Sequence, residues 1–194
     1  MHSRLPCKKL YFTDREGLRV MRINLDGTEH ETIIQNGDWK AENDKVLDLR
    51  NWCVGITISH RLDKFFWTQK GYSKAGTGRI FSANIQMPEG ATPSTRQDIE
   101  VVMHDLPECI DLEFDDERGA LYWTDRGELP IGNTLNKKQL IGEAPTSEKP
   151  HGYQILAQGF GEAIGLRLDR VKNCIFVRRT LVAFQMHKLT CDHR

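Results

Sequence analysis

Residues 121–125 read LYWTD, and close copies of that pentapeptide stand at three other places: LYFTD at 10–14, FFWTQ at 65–69 and CIFVR at 174–178. Their first residues, Leu10, Phe65, Leu121 and Cys174, follow one another at intervals of 55, 56 and 53 residues. A period of that length constrains the fold more than any other feature. Each repeat must be one supersecondary unit that buries its apolar faces against the units before and after it.

The context of each copy shows what the unit is. Upstream lie CVGITISHRLDKF (53–65), CIDLEFDDERGA (109–120) and AIGLRLDRVKN (163–173). Downstream lie LRVMRINLDG (18–27), GRIFSANIQMPEG (78–90) and the poorer NTLNKKQLIGE (133–143). A third stretch closes each unit: HETII (30–34), IEVVMHD (99–105) and YQILAQ (153–158). Period-2 alternation, β-branched and aromatic residues and turns such as LDG and DERG read as strands. No segment holds a 3.6-residue period. The expectation is an all-β chain of four-stranded antiparallel blades in radial array, a β-propeller. It forms a single domain over 1–194, with blade units at about 10–36, 52–105 and 109–158 and further strands at 163–191.

LYWTD followed by an LDG turn resembles the YWTD family of six-bladed propellers, known from lipoprotein-receptor ectodomains, and the resemblance spans nearly the whole chain. It implies that the aromatic residues of the motif wedge between blades. It also implies that Asp14 and Asp125 tie backbone groups of a neighbouring blade. The phrases FFWTQKGYSKAGTGRIFSANI and LYWTDRGELPIGNTLNK are similar to a narrower group. Its members are intracellular fungal proteins of secondary-metabolite clusters that resemble the hetero-Diels–Alderases of tropolonic sesquiterpene pathways.

The strand count is about three blades, with little room for a first strand before LYFTD and a surplus strand at 163–169. Three blades cannot close a ring, and open edges are pairing templates. Two readings stand: a C2 homodimer in which each 163–169 strand completes the partner's first blade to give six, or a fragment of a longer propeller.

Charge narrows the function classes. Twenty-seven Lys and Arg balance 27 Asp and Glu and are interleaved with them, so no basic surface for nucleic acid is expected. The longest apolar runs are too short to span a bilayer, and the first ten residues contain no signal-type apolar stretch. Five widely spread cysteines, Cys7, Cys53, Cys109, Cys174 and Cys191, show no zinc spacing and read as free thiols of a cytoplasmic protein. The chain contains no G-x-G-x-x-G opening a helix, P-loop, G-x-S-x-G or H-E-x-x-H, so no nucleotide cofactor and no metal are expected.

Candidate site residues come from the repeat register. The residue after the motif is basic in all four copies: Arg15, Lys70, Arg126 and Arg179. The residue opening the preceding strand is Trp52, Glu108 or Glu162. If the two sets share a mouth, cations, carboxylates and a Trp ring one axis; polar loop residues without function are the alternative. Gln69 and Arg178 replace the motif Asp, and Asp111 replaces the Gly at 55 and 165. Glu108 and Asp111 are proton-handling candidates or salt-bridged structural groups. Trp52, Trp67 and Tyr72 are candidate walls for a flat ligand, or packing anchors. Trp39, His104 and His151 lie on or near the long insertions.

The resemblance implies a cofactor-independent cyclase for small hydrophobic natural products. Its reaction is dehydration of a hydroxymethyl tropolone-type precursor to an o-quinone methide, then cycloaddition to a sesquiterpene alkene. Lys70, Arg126 and Arg179 would then donate to substrate oxygens. The alternatives are a metal-dependent lactonase using Glu108, Glu162, Asp111 and Asn51, and a non-catalytic binding propeller.

Overall fold

The computed structural model describes residues 8–38, 40, 48–143, 152–179 and 185–188, and apart from one 3-10 turn at Leu49–Asn51 its regular elements are all strands. Sheet 1 holds β1 (Lys9–Asp14), β2 (Arg19–Asn24) and β3 (Glu31–Gln35). Sheet 2 holds β4 (Cys53–Ser59), β5 (Lys64–Gln69), β6 (Gly78–Asn84) and β7 (Glu100–Leu106). Sheet 3 holds β8 (Cys109–Asp115), β9 (Ala120–Asp125), β10 (Thr134–Gln139) and β11 (Gln154–Gln158). Sheet 4 holds β12 (Ala163–Asp169), β13 (Cys174–Arg179) and β14 (Gln185–Lys188). Every pairing is antiparallel between strands adjacent in sequence.

The opening strands β4, β8 and β12 touch one another in series, and β1 touches β4. The sheets are therefore radial. Each pair of neighbours encloses its own core. Val20, Ile33 and Ile34 meet Phe65, Trp67 and Phe81 between sheets 1 and 2. Phe66, Ile80 and Leu106 meet Leu112, Phe114 and Trp123 between sheets 2 and 3. Tyr122 and Leu135 meet Leu166, Ile175 and Val177 between sheets 3 and 4.

The motif explains this packing through its period. On β5, Phe65 and Trp67 face sheet 1 while Phe66 faces sheet 3 and stacks on Phe114 at 5.3 Å. On β9, Leu121 and Trp123 face sheet 2 and Tyr122 faces sheet 4. A strand buried on both faces has to be apolar throughout, which is why these pentapeptides carry aromatic residues on successive positions.

One sequence expectation is corrected here. The motif Asp does not reach a neighbouring sheet: Asp14 accepts from Gly17 N and pairs with Arg19 of its own sheet, and Asp125 accepts from Glu108 N and Gly127 N. In sheets 1 and 2 the motif Thr makes the crossing instead. Thr13 Oγ1 donates to Val54 O at 2.6 Å and Thr68 Oγ1 to Ile110 O at 2.6 Å, each into the next sheet. The 163–169 strand lies in sheet 4. It is β12, paired with β13 from Ala163–Arg179 to Asp169–Cys174.

Candidate functional site

The turns that follow β1, β5 and β9 and those that precede β4 and β8 come together at one mouth. Its centre is Glu108, in the short Leu106–Cys109 crossing between sheets, and its side chain has no solvent exposure. Lys70 Nζ lies 3.0 Å and Arg126 Nη2 2.5 Å from the same Glu108 oxygen. Ser73 Oγ donates to the other oxygen at 3.0 Å, as does Lys74 N at 3.3 Å. Burial pushes the Glu108 carboxyl up, but the hydrogen bonds and charges of Arg126 and Lys70 outweigh it and hold Glu108 below the usual carboxylate range.

Backbone detail makes this arrangement possible. Gly71 adopts φ +71°, and a Cβ there would come within 2.3 Å of Thr77 Oγ1, so only glycine lets the 70–78 loop fold back and aim Ser73 at Glu108. Gly127 passes the crossing so closely that a Cβ would meet Pro107 Cβ at 2.2 Å. Asp125 fixes the same crossing from below, and burial foremost pushes its carboxyl up to about 6, against the pull of its backbone donors.

Trp52 stands beside the ion cluster, half-buried at the end of the 3-10 turn. The Arg15 guanidinium lies 4.6 Å from its ring centroid and Lys70 Nζ 5.8 Å. Arg126 keeps 29% of its side chain exposed, and Tyr72 is 42% exposed on the neighbouring loop. Lys74 and Glu128 form an exposed pair at the lip. The mouth thus offers one aromatic face, guanidinium donors and a fixed negative centre paired with Lys70.

The register positions Arg15, Lys70, Arg126, Trp52 and Glu108 therefore meet as the sequence suggested. Glu162, at φ +60°, hydrogen-bonds through its N–H to Asn133 and exerts a field on Lys74. Other candidates stand elsewhere. Trp67 is a core residue stacked on Phe65 and Phe81 and reaches no mouth. Gln69 is buried and accepts from Arg79. Asp111 is engaged between sheets, accepting from Leu166 N at 2.9 Å and Leu112 N at 3.0 Å, with its carboxyl raised chiefly by burial. Arg178 is exposed on β13. His104 is exposed and contacts Asp105. The Arg179 side chain, Trp39, His151, Cys7 and Cys191 lie outside the described residues. Cys53, Cys109 and Cys174 are buried free thiols, and burial pushes Cys53 up to about 12.

Sequence reasoning passed over Ser73, Arg15 as the partner of Trp52, and the three motif threonines. The threonine signal was present, since Thr13, Thr68 and Thr124 recur at one register position. A divalent cation does not fit the proposed ligand set. Glu108 already faces two cations, Asp111 is tied to backbone amides, and no cluster of three His, Cys, Asp or Glu side chains suited to a metal exists among the described residues.

No family model matches the chain. It is 48% identical over 174 residues to the 3-hydroxyacyl-CoA dehydrogenase-like protein LAM1 of Cochliobolus heterostrophus, covering 88% of this chain and 36% of that protein. It is 42% identical over 171 residues to a low-density lipoprotein receptor-related protein 1 of Pyricularia oryzae, covering 87% of this chain and 54% of that protein. The chain thus spans about half or less of these relatives. Its fold resembles the PQQ-bound aldose sugar dehydrogenase of Streptomyces coelicolor (TM-score 0.63, 14% identity, 90% of this chain and 54% of that one). It also resembles the Xanthomonas campestris gluconolactonase XC5397 (TM-score 0.53, 12% identity, 90% and 52%). A third likeness is virginiamycin B lyase of Staphylococcus aureus (TM-score 0.51, 13% identity, 98% and 55%). With its radial antiparallel sheets, the chain has the β-propeller fold.

Proposed function

We propose that this chain is part of a YWTD-type propeller of fungal secondary metabolism, and that its Trp52–Lys70–Arg126 mouth binds an oxygen-rich planar intermediate and promotes its hetero-Diels–Alder cycloaddition. The observation that carries the reading is the aromatic face of Trp52 placed beside Arg15 and Lys70, with a part-exposed Arg126 on the same Glu108 that holds Lys70. The fungal sources of both relatives, and the receptor-related name of one, support the family and the setting.

The chemistry asks for positioning more than for proton transfer. The precursor loses its hydroxyl and a ring-oxygen proton as water, leaving an o-quinone methide. Four electrons of its O=C–C=C unit and two of the alkene then form one C–O bond, one C–C bond and one new C=C bond between the two middle carbons of the former diene, with no leaving group. A guanidinium hydrogen-bonded to the quinone-methide oxygen lowers the acceptor orbital, and an aromatic wall holds both partners near attack geometry. Arg126 is the donor and Trp52 the wall, with Tyr72 on the open side. Glu108 does not move protons: held ionised by its cations, it fixes Lys70 and Arg126 in place.

The test is incubation of the protein with a hydroxymethyl tropolone precursor and a polyene sesquiterpene, followed by chiral chromatography of the adducts. A faster reaction with one stereoisomer in excess is expected. A product distribution and rate equal to those in buffer would refute the reading.

A further inference from the structure

We propose that Gln69 and Arg79 are positioning residues for the mouth. Gln69 stands where sheet 3 carries its motif aspartate and so leaves the Trp52 crossing free to form the 3-10 turn, which Arg79 then latches. The inference rests on the reading of Trp52 as the aromatic wall of the mouth, and it names what holds that wall in place.

Crossings that hold the same place in the repeat are built differently. Cys53 pairs with Gln69 as Cys109 pairs with Asp125, so Trp52 and Glu108 are equivalent residues just before their strands. Both oxygens of Asp125 lie 3.1 Å from Glu108 N, which ties that crossing to the end of β9. A glutamine offers one acceptor oxygen where an aspartate offers two, and that of the buried Gln69 takes Arg79 Nη2 at 2.7 Å. The Trp52 N–H turns instead to Leu49 O at 3.2 Å and closes the 3-10 turn Leu49–Asn51. The third crossing agrees. Ala163 pairs with Arg179, so no aspartate stands there, and Glu162 N bonds to Phe160 O and Asn133 Oδ1, each at 3.0 Å.

Arg79 carries the exchange over to the turn. It lies opposite Gln69 on β6 as Arg19 lies opposite Asp14 on β2. Arg19 is engaged by its aspartate, donating from Nε to Asp14 Oδ2 at 2.8 Å. Arg79 instead gives Nη2 to two neutral oxygens, Gln69 Oε1 and Arg50 O, each at 2.7 Å. Arg50 belongs to the 3-10 turn and stands two residues before Trp52. On the other side Asn36 Nδ2 donates to Cys53 Sγ at 3.1 Å and to Asn51 O at 3.4 Å, so the turn is held on both flanks of Trp52. Arg79 Nε is buried with no hydrogen-bond partner among the described residues. A carboxylate at position 69 would therefore draw the guanidinium away from Arg50 O, because a charged acceptor binds it more strongly than a carbonyl does. The same carboxylate would compete with Leu49 O for the Trp52 N–H, as Asp125 holds Glu108 N.

The test is fluorine NMR of the full chain labelled with fluorinated tryptophan, the Trp52 line being assigned from Trp52→Phe, together with titration of the same samples with tropolone. Gln69→Asp is expected to move the Trp52 line by more than its width while the Trp123 line stays. It is also expected to leave the urea midpoint no lower and to weaken tropolone binding at least about tenfold. Arg79→Met removes the donor to Arg50 O without adding a buried charge, and is expected to move the same line and weaken binding likewise. A Trp52 line unmoved in both variants would overturn the inference, as would a moved line with unweakened binding. Movement of the Trp123 line together with a lowered midpoint would also overturn it, since general disruption would then account for the loss. Tropolone that fails to bind the unaltered chain, while the variants still move the Trp52 line, would refute the proposed function and leave the positioning of Trp52 standing.

Discussion

Glu108 holds Lys70 and Arg126 on one fully buried side chain, and that asymmetry decides what a substitution there does. Glu108→Gln keeps the shape and removes the charge, leaving Lys70 nearly buried without a counter-ion. The expected loss is about 3–5 kcal/mol in urea unfolding, the cost of breaking a buried pair from one side. A loss under about 1 kcal/mol would show that the pair is solvated and does not organise the mouth. Thr68 is the second informative residue. Its hydroxyl accepts from Gly55 N at 2.8 Å and donates to Ile110 O, joining β4, β5 and β8 at one atom. Thr68→Val, nearly equal in volume, leaves both backbone groups unpaired and is expected to cost about 1–3 kcal/mol by the same measurement.

Strand identity and order were legible in the residues because a strand packed on both faces writes aromatic and β-branched residues at successive positions, as in FFWTQ and LYWTD. Arg15, Lys70 and Arg126 were legible from register, but in sheet 4 Cys174 pairs with Asp169 as Ala120 pairs with Asp115, which puts Arg179 at the motif Asp position and corrects its place in the basic set. Side-chain roles were less so. Trp67 reads as a wall until its face toward sheet 1 is known, and Asp111 reads as a free carboxylate until Leu166 N is seen opposite it. Both depend on which strand lies across the gap, which no local pattern records. Gly55 shows the same dependence. A Cβ there would stand 2.5 Å from Ile110 O and 2.9 Å from Asp111 Cα, so β4 and β8 approach closely only because the position is glycine. Gly55→Ala is expected to push the two strands apart and cost about 1–3 kcal/mol, read as a lowered urea midpoint with faster exchange at Phe114 N.

Across the whole molecule, buried carboxylates on two sides of one crossing set the pH response. Asp125, raised to about 6 chiefly by burial, binds its proton more tightly folded than unfolded. Its contribution to stability therefore grows as pH falls from about 6 toward the ordinary Asp range and is smallest above 6. Glu108, held low by Arg126 and Lys70, acts in the opposite sense: its contribution is present above the ordinary Glu range and is lost as pH falls through its lowered folded value. Urea unfolding should show stability rising from pH 7 to about 5 and falling in stronger acid, with the rise flattened in Asp125→Asn. An unchanged rise in that variant would assign it to other groups.

The central claim is that the Trp52–Lys70–Arg126 mouth holds a planar, oxygen-rich ligand, and calorimetric titration with tropolone at neutral pH tests it most directly. Saturable one-site binding is predicted, weakened at least about tenfold in Trp52→Ala and in Arg126→Met and unchanged in Leu10→Ala on the far edge. Binding that is absent, or indifferent to both mouth substitutions, would contradict it.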